Sequence, residues 1–390
     1  MPRTHRKEIG SRSPIPVCVP SYGEREAASA ARAVREGWVT SDGPYVRQFE
    51  ERFSRVVHAS HGVATSSGTA ALHVSLAALG IGPGDEVIVP DFTMVACLDT
   101  VLYVGATPVF VDVDPETWTL DLRATEAAIT AKTRAIMPVH IYGHPVEMDG
   151  LRRIARAHDI AIVEDAAEAH GSEFRGTPVG ALGDLGCFSF YATKVISTGE
   201  GGMVVTRSAR LARRTERLHE LAYASESRNY RHTEVGFNYR LTDVQAAVGL
   251  AQLDRLSEFV RHRRRCARIY REAFEGVEGL RFQDEASWAK SAYWVFTVLL
   301  PGGAALRTRV ATELLRRGVS TRVAFWPLHR QPFAPRPNGT RNGFPVSDRL
   351  GQSGLTLPFG NGISESTIAD VADTVRSVVR SLAPGSNGHS

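Results

Sequence analysis

Short apolar runs recur through the first half of the chain and alternate with segments whose apolar residues have helical spacing. Seven of these runs predict β-strands, at 63–66, 86–90, 108–113, 134–140, 160–165, 186–190 and 203–206. Strands that alternate with helices form a mainly parallel sheet with helices on both faces. The pattern therefore predicts the α/β fold class, with a mainly parallel seven-stranded sheet.

Between these strands, apolar residues recur every three to four positions. This spacing predicts helices at 22–38, 46–56 and 151–157, and a further helix that begins near Ser67 and stops at Gly80. The segment 241–260 has the same spacing over a greater length, and it predicts one amphipathic helix that joins two domains.

The second half repeats the alternation on a smaller scale. Residues 292–300 and 319–324 predict strands and 305–317 predicts a helix, which together indicate a smaller C-terminal α/β domain. In this chain of 390 residues we expect a large domain at 15–250 and a small domain at 251–383, with disordered tails at 1–14 and 384–390.

Composition narrows the function only by exclusion. The chain is 43% hydrophobic and 23% charged, and its formal charge of +4 is too small to indicate nucleic-acid binding. The four cysteines are scattered, without the spacing of metal ligands or of disulfides. No apolar segment approaches the roughly 20 residues of a membrane helix. We expect a cytoplasmic protein with no metal site and neither a membrane nor a nucleic acid as partner.

Lysine is rare in this chain, and one lysine has an unusual setting. Of 46 lysine and arginine residues only four are lysines, Lys7, Lys132, Lys194 and Lys290. A lysine whose pKa is lowered by its surroundings can attack a carbonyl carbon and form a Schiff base, which arginine cannot readily do. Only Lys194 lies between an apolar strand and a glycine-rich run, in F-S-F-Y-A-T-K-V-I-S-T-G-E-G-G. It is the candidate catalytic residue, with a surface lysine as the alternative.

The apolar run I-A-I-V-E-D ends in two carboxylates, the second being Asp165. Ligands of open α/β sheets bind at the carboxyl ends of the strands. Pyridoxal phosphate needs a carboxylate beside its ring nitrogen, because the carboxylate keeps that nitrogen protonated and lets the ring accept electrons. Asp165 is the candidate for this carboxylate, and a helix cap is the alternative.

Small residues mark the junction of an early strand with its helix, in S-S-G-T-A-A-L. A helix that begins at Ser67, Gly68 and Thr69 would offer free amide hydrogens and a partial positive charge to a phosphate group. An ordinary Ser/Thr cap is the alternative. The junction lacks G-x-G-x-x-G spacing, which argues against a nicotinamide dinucleotide.

Two features of the second half have two interpretations each. The basic run Arg261, Arg263, Arg264 and Arg265 predicts a solvated helix face, with a diphosphate-binding patch as the alternative. His329 lies in F-W-P-L-H-R-Q-P-F, which predicts a structured loop, and it is either a structural histidine or a contact of the substrate.

Several motifs together resemble those of one known family. In chain order they are G-W-V-T-S-D-G-P, S-S-G-T-A-A-L, P-G-D-E-V-I-V-P, P-V-F-V-D-V-D, P-V-H-I-Y-G-H-P, E-D-A-A-E-A-H-G, F-S-F-Y-A-T-K, T-G-E-G-G, G-F-N-Y-R-L-T-D-V-Q-A-A-V-G and P-L-H-R-Q-P. From about residue 16 to about residue 382 the chain resembles the DegT/DnrJ/StrS sugar aminotransferases. These are pyridoxal-phosphate enzymes of fold type I.

The resemblance implies roles for individual residues. It makes Lys194 the lysine that binds the cofactor covalently and Asp165 the partner of its ring nitrogen. It also implies further cofactor-binding positions at Gly68, Thr69, His170, Ser189 and Asn238. Asn238 would reach the phosphate of the neighbouring subunit, so a homodimer with shared active sites is implied. Substrate contacts are expected in the loops 39–45 and 325–333, with Ser41 and His329 as candidates.

Two cofactor-binding positions depart from the common pattern of the family. Met94 stands where many members place an aromatic ring over the cofactor, and a thioether can also pack on a ring face. Glu168 stands where many members carry glutamine near the cofactor's phenolic oxygen. Since an ionised carboxylate would repel that oxygen, we expect either a raised pKa for Glu168 or a different partner.

The resemblance implies transamination in two half-reactions, with L-glutamate as donor and Lys194 as the group that moves the proton. Retention of lysine favours transamination, since related sugar 3-dehydratases carry histidine at this position. The implied acceptor is GDP-4-keto-6-deoxymannose, while other nucleotide-linked 3- or 4-keto sugars and keto-cyclitols stay open. A non-catalytic cofactor-binding or sugar-nucleotide-binding protein and a nicotinamide oxidoreductase are the alternatives from other classes.

Overall fold

The centre of the fold is a seven-stranded sheet. The computed structural model describes residues 13–224, 230–336 and 343–382. The strands of this sheet are β1 (His61–Thr65), β2 (Glu86–Pro90), β3 (Thr107–Val111), β4 (Thr133–Ile136), β5 (Ala161–Asp165), β8 (Leu185–Ser189) and β9 (Gly202–Thr206). Their spatial order is β1-β9-β8-β5-β4-β2-β3, and only β9 pairs antiparallel with its neighbours. The predicted mainly parallel seven-stranded sheet is confirmed.

Helices cover both faces of this sheet. The described helices are α1 (Glu24–Arg35), α2 (Pro44–Val56), α3 (Gly68–Ala78), α4 (Ala96–Tyr103), α5 (Leu122–Ala127), α6 (Met148–Ala157), α7 (Ala209–His219), α8 (Asp243–Leu253), α9 (Leu256–Phe274), α10 (Gly303–Arg316), α11 (Pro345–Ser353) and α12 (Glu365–Leu382). Successive strand residues point to opposite faces. In β5, Ile162 joins the core under α2, α6 and α8, whereas Val163 joins the core under α3, α4 and α7.

The single helix predicted at 241–260 is wrong. The chain forms two helices there, α8 and α9, which are separated at Asp254 and Arg255. Leu253 and Leu256 are both buried, so the apolar spacing continues across the break and does not reveal it. Helix α9 then runs to Phe274, well beyond the predicted end.

The C-terminal part forms a second, smaller α/β layer. Its sheet has the order β10 (Arg281–Phe282), β12 (Phe296–Leu299), β14 (Gly354–Leu357) and β13 (Arg322–Val323). A third sheet joins β11 (Ala289–Lys290) to β6 (Glu173–Phe174) and β7 (Thr177–Pro178) of the large domain. The boundaries at 15–250 and 251–383 stay predictions, and most of both predicted tails lies outside the described residues.

Among the helices of the described ranges, none is both long enough and apolar enough to span a membrane.

Candidate active site

Lys194 lies in the loop that connects β8 to β9, at the carboxyl end of β8. The C-terminal domain binds the backbone of this loop on both sides of the lysine. The indole N–H of Trp294 donates to the carbonyl of Thr193 at 2.8 Å, and the side-chain amide of Asn361 donates to the carbonyl of Val195 at 2.7 Å. Lys194 is therefore held between the seven-stranded sheet and the segments next to β12 and β14.

The amine of Lys194 is largely shielded from water. Its Nζ lies 3.8 Å from the centroid of the Trp294 ring and 3.7 Å from Oε1 of Glu168, and its side chain is 10% exposed. Burial lowers the pKa of Lys194, while the charges of Glu168 and Asp165 oppose that effect. A lowered pKa makes the neutral amine easier to form, and a nucleophile or a base requires that form.

Glu168 is the closest carboxylate to this amine. Its other oxygen, Oε2, accepts a hydrogen bond from the backbone N–H of Tyr142 at 2.7 Å. Tyr142 has a left-handed backbone (φ 57°), which a non-glycine residue rarely adopts. Burial raises the pKa of Glu168 to about 7, although Lys194 and this N–H lower it. The direction is the one expected from the sequence.

Asp165 ends β5 and is 5% exposed. Its Oδ2 accepts a hydrogen bond from the thiol of Cys97 at 3.1 Å, and its Oδ1 accepts one from the N–H of Ala167 at 3.0 Å. Burial together with the negative charge of Asp165 raises the pKa of Cys97 well above the usual range. Cys97 therefore stays a thiol and remains a donor to the carboxylate.

The preceding residue, Glu164, points to the opposite face of the sheet. It accepts backbone hydrogen bonds from Gly180 at 2.8 Å, Leu182 at 2.7 Å and Gly183 at 2.6 Å, and Nε2 of His140 lies 3.0 Å away. The N–H of Val146 donates to Nδ1 of His140, so the proton of a neutral His140 lies on Nε2 and is donated to Glu164. Glu164 is thus a structural carboxylate.

The expected phosphate site lies at the first turn of α3. Ser67 caps this helix, and its hydroxyl accepts from the N–H of Ala70 at 3.0 Å. The N–H groups of Gly68 and Thr69 precede that bond and belong to the orphan donors of a helix start. A Cβ on Gly68 would lie 2.7 Å from Cβ of Ser189, so glycine is required for this close approach. The three predicted residues Gly68, Thr69 and Ser189 therefore come together.

His170 lies inside an aromatic cluster. Its ring centroid is 5.3 Å from that of Phe188, 5.5 Å from that of Phe190 and 6.2 Å from that of Phe53. Burial lowers the pKa of His170 to about 3, so the ring is neutral. A direct role toward a cofactor stays a prediction.

The remaining cofactor candidates lie at the surface. Met94 is 47% exposed in the loop after β2, and Asn238 is exposed in the segment before α8. The hydrogen bond from the N–H of Ser66 to the carbonyl of Tyr239 ties that segment to the start of α3. The contacts that the sequence predicts for Met94 and Asn238 stay predictions.

Of the two substrate candidates, Ser41 lies partly buried in the turn before α2. The carboxylate of Asp243 holds this turn, because it accepts hydrogen bonds from the N–H groups of Gly43, Tyr45 and Val46. The turn is therefore fixed by α8, and Ser41 remains a predicted substrate contact.

Both ring nitrogens of His329 lie close to carboxylates of neighbouring residues. Its Nδ1 lies 2.7 Å from Oδ2 of Asp91, and its Nε2 lies 3.5 Å from Oδ1 of Asp348. Its backbone N–H also donates to Asp91 at 2.8 Å, and its ring stacks on Phe344. These contacts give His329 a structural role in the loop, while a contact with substrate stays a prediction.

The predicted solvated face of the basic run is wrong for Arg263, which is 1% exposed. Its guanidinium donates to the side-chain oxygen of Asn361 at 2.6 Å and to the carbonyl of Trp294 at 2.6 Å. Arg264 and Arg265 pair with Glu285 and Glu365. Because α9 packs between the domains, the helix position of Arg263 faces inward and supports the two residues that hold the Lys194 loop.

Sequence reasoning missed three residues of this site: Cys97, Tyr142 and Trp294. Each lies far from Lys194 in the sequence, and no local motif connects them with it. The only available signal was the family pattern around P-D-F-T-M-V-A-C and P-V-H-I-Y-G.

The residues present suit pyridoxal phosphate. A buried amine, a buried carboxylate at a strand end and a helix start closed by Gly68 and Ser189 are the three features that an aldehyde, a ring nitrogen and a phosphate require. Residues Lys194, Asp165, Gly68, Thr69 and Ser189 would hold these groups.

Comparison with known proteins leads to the same class. The chain is 39% identical over 356 residues to the GDP-perosamine synthase of Caulobacter vibrioides (91% of this chain, 95% of that one), and 36% identical over 361 residues to that of Escherichia coli O157:H7 (93% and 97%). The solved PLP form of Spr1654 from Streptococcus pneumoniae superposes with a TM-score of 0.88 at 28% identity, covering 95% of this chain and 99% of that one. The family model for DegT/DnrJ/EryC1/StrS aminotransferases matches residues 20–376, and the chain belongs to this family.

Proposed function

We propose that this pyridoxal-phosphate-dependent aminotransferase moves an amino group from L-glutamate to a keto sugar nucleotide. The observation that carries the proposal is the buried amine of Lys194 beside Glu168, in the site that also contains Asp165 and the free start of α3. The proposed acceptor is GDP-4-keto-6-deoxymannose, with GDP-perosamine as product. Identity of 36% and 39% to two GDP-perosamine synthases supports this choice.

Bound pyridoxal phosphate supplies a ring that accepts the electrons left on a carbon when that carbon loses a proton. The residues of the chain have four tasks around it. Asp165 keeps the ring nitrogen protonated, since a carboxylate favours the charged form of its partner. Cys97 and the N–H of Ala167 orient this carboxylate. The first turn of α3 and Ser189 bind the phosphate.

Lys194 has the central task. Its amine would hold the cofactor and, when free, would remove a proton from the α-carbon of the donor and deliver one to the carbon that receives the amino group. The carboxyl group of Glu168 lies beside this amine and positions it in the site. Because the pKa of Glu168 is about 7, the carboxyl group can hold a proton near neutral pH. In the acceptor half-reaction, Lys194 performs the same proton transfers in reverse order.

We also propose that the active unit is a homodimer in which Asn238 contributes to the partner's phosphate site. The exposed position of Asn238 supports this arrangement, because the side chain is accessible to a second subunit. Mixing an inactive Lys194→Ala chain with an inactive Asn238→Ala chain should restore activity, because mixed dimers contain one site with both residues. No restoration would contradict the shared site.

The function is tested by the absorbance spectrum of the cofactor-loaded protein before and after L-glutamate, with Lys194→Ala as the control. We expect glutamate to convert the visible band of the native protein to the band of pyridoxamine phosphate, and the variant to show no such conversion. The protein that contains pyridoxamine phosphate is then mixed with GDP-, dTDP- and UDP-linked keto sugars. Return of the original band with the GDP-linked 4-keto sugar alone supports the proposed acceptor, and a native protein that binds no cofactor contradicts the whole proposal.

A further inference from the structure

Arg322 lies near Lys194, and its guanidinium has no carboxylate partner among the described residues. It lies on β13 of the small sheet and is exposed. Within the described residues no carboxylate lies at ion-pair distance from its guanidinium, whereas the neighbouring arginines Arg316 and Arg317 both pair with Glu313. An exposed cation without a carboxylate partner is free to bind an anion.

The side chain of Arg322 extends toward the active site. Its guanidinium carbon lies 5.7 Å from the centroid of the Trp294 ring, and Nζ of Lys194 lies 3.8 Å from the same centroid. The two cations thus share one aromatic ring. Burial has the largest effect on both buried groups, since it lowers the pKa of Lys194 and raises that of Glu168. The charge of Arg322 lowers both pKa values.

An amino acid donor creates a need for such a cation. Its α-carboxylate is attached to the carbon whose proton Lys194 removes, so the carboxylate must lie close to the amine throughout the half-reaction. Asp165 and Glu168 already bring two carboxyl groups into the site. A third carboxylate would be repelled there unless a positive charge other than Lys194 faces it.

The diphosphate of the acceptor is a less suitable partner for the same guanidinium. Its phosphorus atoms are separated from the reacting keto carbon by the sugar ring, whereas the α-carboxylate of the donor is directly bonded to the reacting carbon. The anion nearest to Lys194 during the reaction is therefore the carboxylate of the donor.

We propose that Arg322 binds the α-carboxylate of the amino donor, through the charge-assisted and bidentate hydrogen bonds that guanidinium groups form with carboxylates. This inference rests on the proposed aminotransferase function. It assigns donor recognition to the small domain, while Lys194, Asp165 and Glu168 belong to the large one.

The test compares Arg322→Gln with Arg322→Lys and with Arg309→Gln, a matched removal of an exposed arginine on α10. The donor half-reaction is measured with L-glutamate, with L-glutamine, which lacks only the distal carboxylate, and with L-isoglutamine, which lacks only the α-carboxylate. For Arg322→Gln we expect kcat/KM to fall about 10- to 100-fold with glutamate and with glutamine alike, mainly through KM, and to stay unchanged with isoglutamine. Arg322→Lys should recover part of the loss, because it restores the charge without the bidentate geometry.

A binding measurement accompanies the kinetics. Calorimetric titration of the cofactor-loaded protein with glutarate, a dicarboxylate that cannot react, should give about 10- to 100-fold weaker binding in Arg322→Gln and unchanged binding in Arg309→Gln. The acceptor half-reaction, started from the pyridoxamine-phosphate form, should proceed at the native rate in Arg322→Gln.

Three results would overturn the inference. They are a loss confined to glutamate that spares glutamine, a slowed acceptor half-reaction with an unchanged donor half-reaction, and equal behaviour of Arg322→Gln and Arg309→Gln. In each case a native protein that still transaminates leaves the proposed function standing. A native protein that does not react with any amino acid contradicts the proposed function itself.

Discussion

Glu164 and Glu168 are two buried glutamates only four positions apart, and their pKa values are shifted in opposite directions. Burial tends to raise the pKa of both. Around Glu164, His140 and three backbone N–H groups outweigh burial, and the pKa falls below its usual range. Around Glu168, one backbone N–H and a lysine at 3.7 Å do not outweigh it, and the pKa rises to about 7.

This difference separates a structural carboxylate from a chemical one. Glu164 has a donor for each direction in which its oxygens can accept, so it stays ionised and holds the loop 180–183 to β5. Glu168 is left with too few donors, so it can gain or lose a proton near neutral pH beside Lys194. A buried carboxylate that has too few hydrogen-bond donors to stay ionised has a raised pKa, and such groups are candidates for functional sites.

The largest expected effect comes from Glu164→Gln. The new side-chain NH2 group would replace one carboxylate oxygen of Glu164. The buried N–H groups that now donate to that oxygen would then have no acceptor. We expect the free energy of unfolding in urea at pH 7 to fall by about 3–5 kcal/mol. Glu278→Gln, which removes an exposed carboxylate, is the matched control and should leave stability unchanged. Equal stability of the two variants would contradict the structural role of Glu164.

Glu168→Gln should change how stability depends on pH. In the folded protein Glu168 keeps its proton up to about pH 7, whereas in the unfolded chain it loses the proton near the ordinary glutamate pKa of about 4.3. Between these values the folded state binds more protons, so the native protein loses stability as pH rises from about 4 to about 7, by on the order of 3 kcal/mol. We expect Glu168→Gln to lack this loss.

The measurement is urea unfolding of the cofactor-free protein at several pH values below 8. Glu50, whose pKa burial also raises to about 7, offers a control outside the site. Glu50→Gln should remove a similar pH-dependent loss of stability without affecting the spectrum of the bound cofactor. Identical pH profiles of the native protein and Glu168→Gln would show that Glu168 is ionised like an ordinary surface glutamate.

A smaller effect is expected at Cys97, which supplies one of the two hydrogen bonds to Asp165. Cys97→Val removes the donor at similar volume, and we expect the dissociation constant of pyridoxal phosphate to rise about 10-fold, the value of one hydrogen bond to a charged group. Cys97→Ser keeps a donor and should bind within about 3-fold of the native protein. Absorbance titration measures both, and equal losses in the two variants would assign the effect to packing.

The sequence predicted most of the scaffold, because its signals are local. All seven predicted strands lie in one sheet, Asp165 ends β5, and Gly68 lies against Ser189 at the end of β8, while the roles of these residues and of Lys194 toward a cofactor stay predictions. Strand alternation and helix-start residues act within a few positions, so one sequence reveals them.

The parts that escaped prediction depend on distant pairings. Trp294 reaches Lys194 from 100 positions away, and the thiol of Cys97 reaches Asp165 from 68 positions away. The burial of Arg263 and the break before α9 depend on how two domains pack, which apolar spacing does not encode. Glu164 and Glu168 look alike in the sequence, and only the count of surrounding donors distinguishes them.

Lys194 is expected to be the reactive amine of the protein, because its amine is shielded from water and lies beside Glu168. The most direct test is borohydride reduction of the protein loaded with pyridoxal phosphate, followed by proteolysis and mass spectrometry. We predict that one cofactor per chain is found on the peptide that contains Lys194, and none on those with Lys132 or Lys290. Attachment to another lysine, or no attachment at all, would contradict the account.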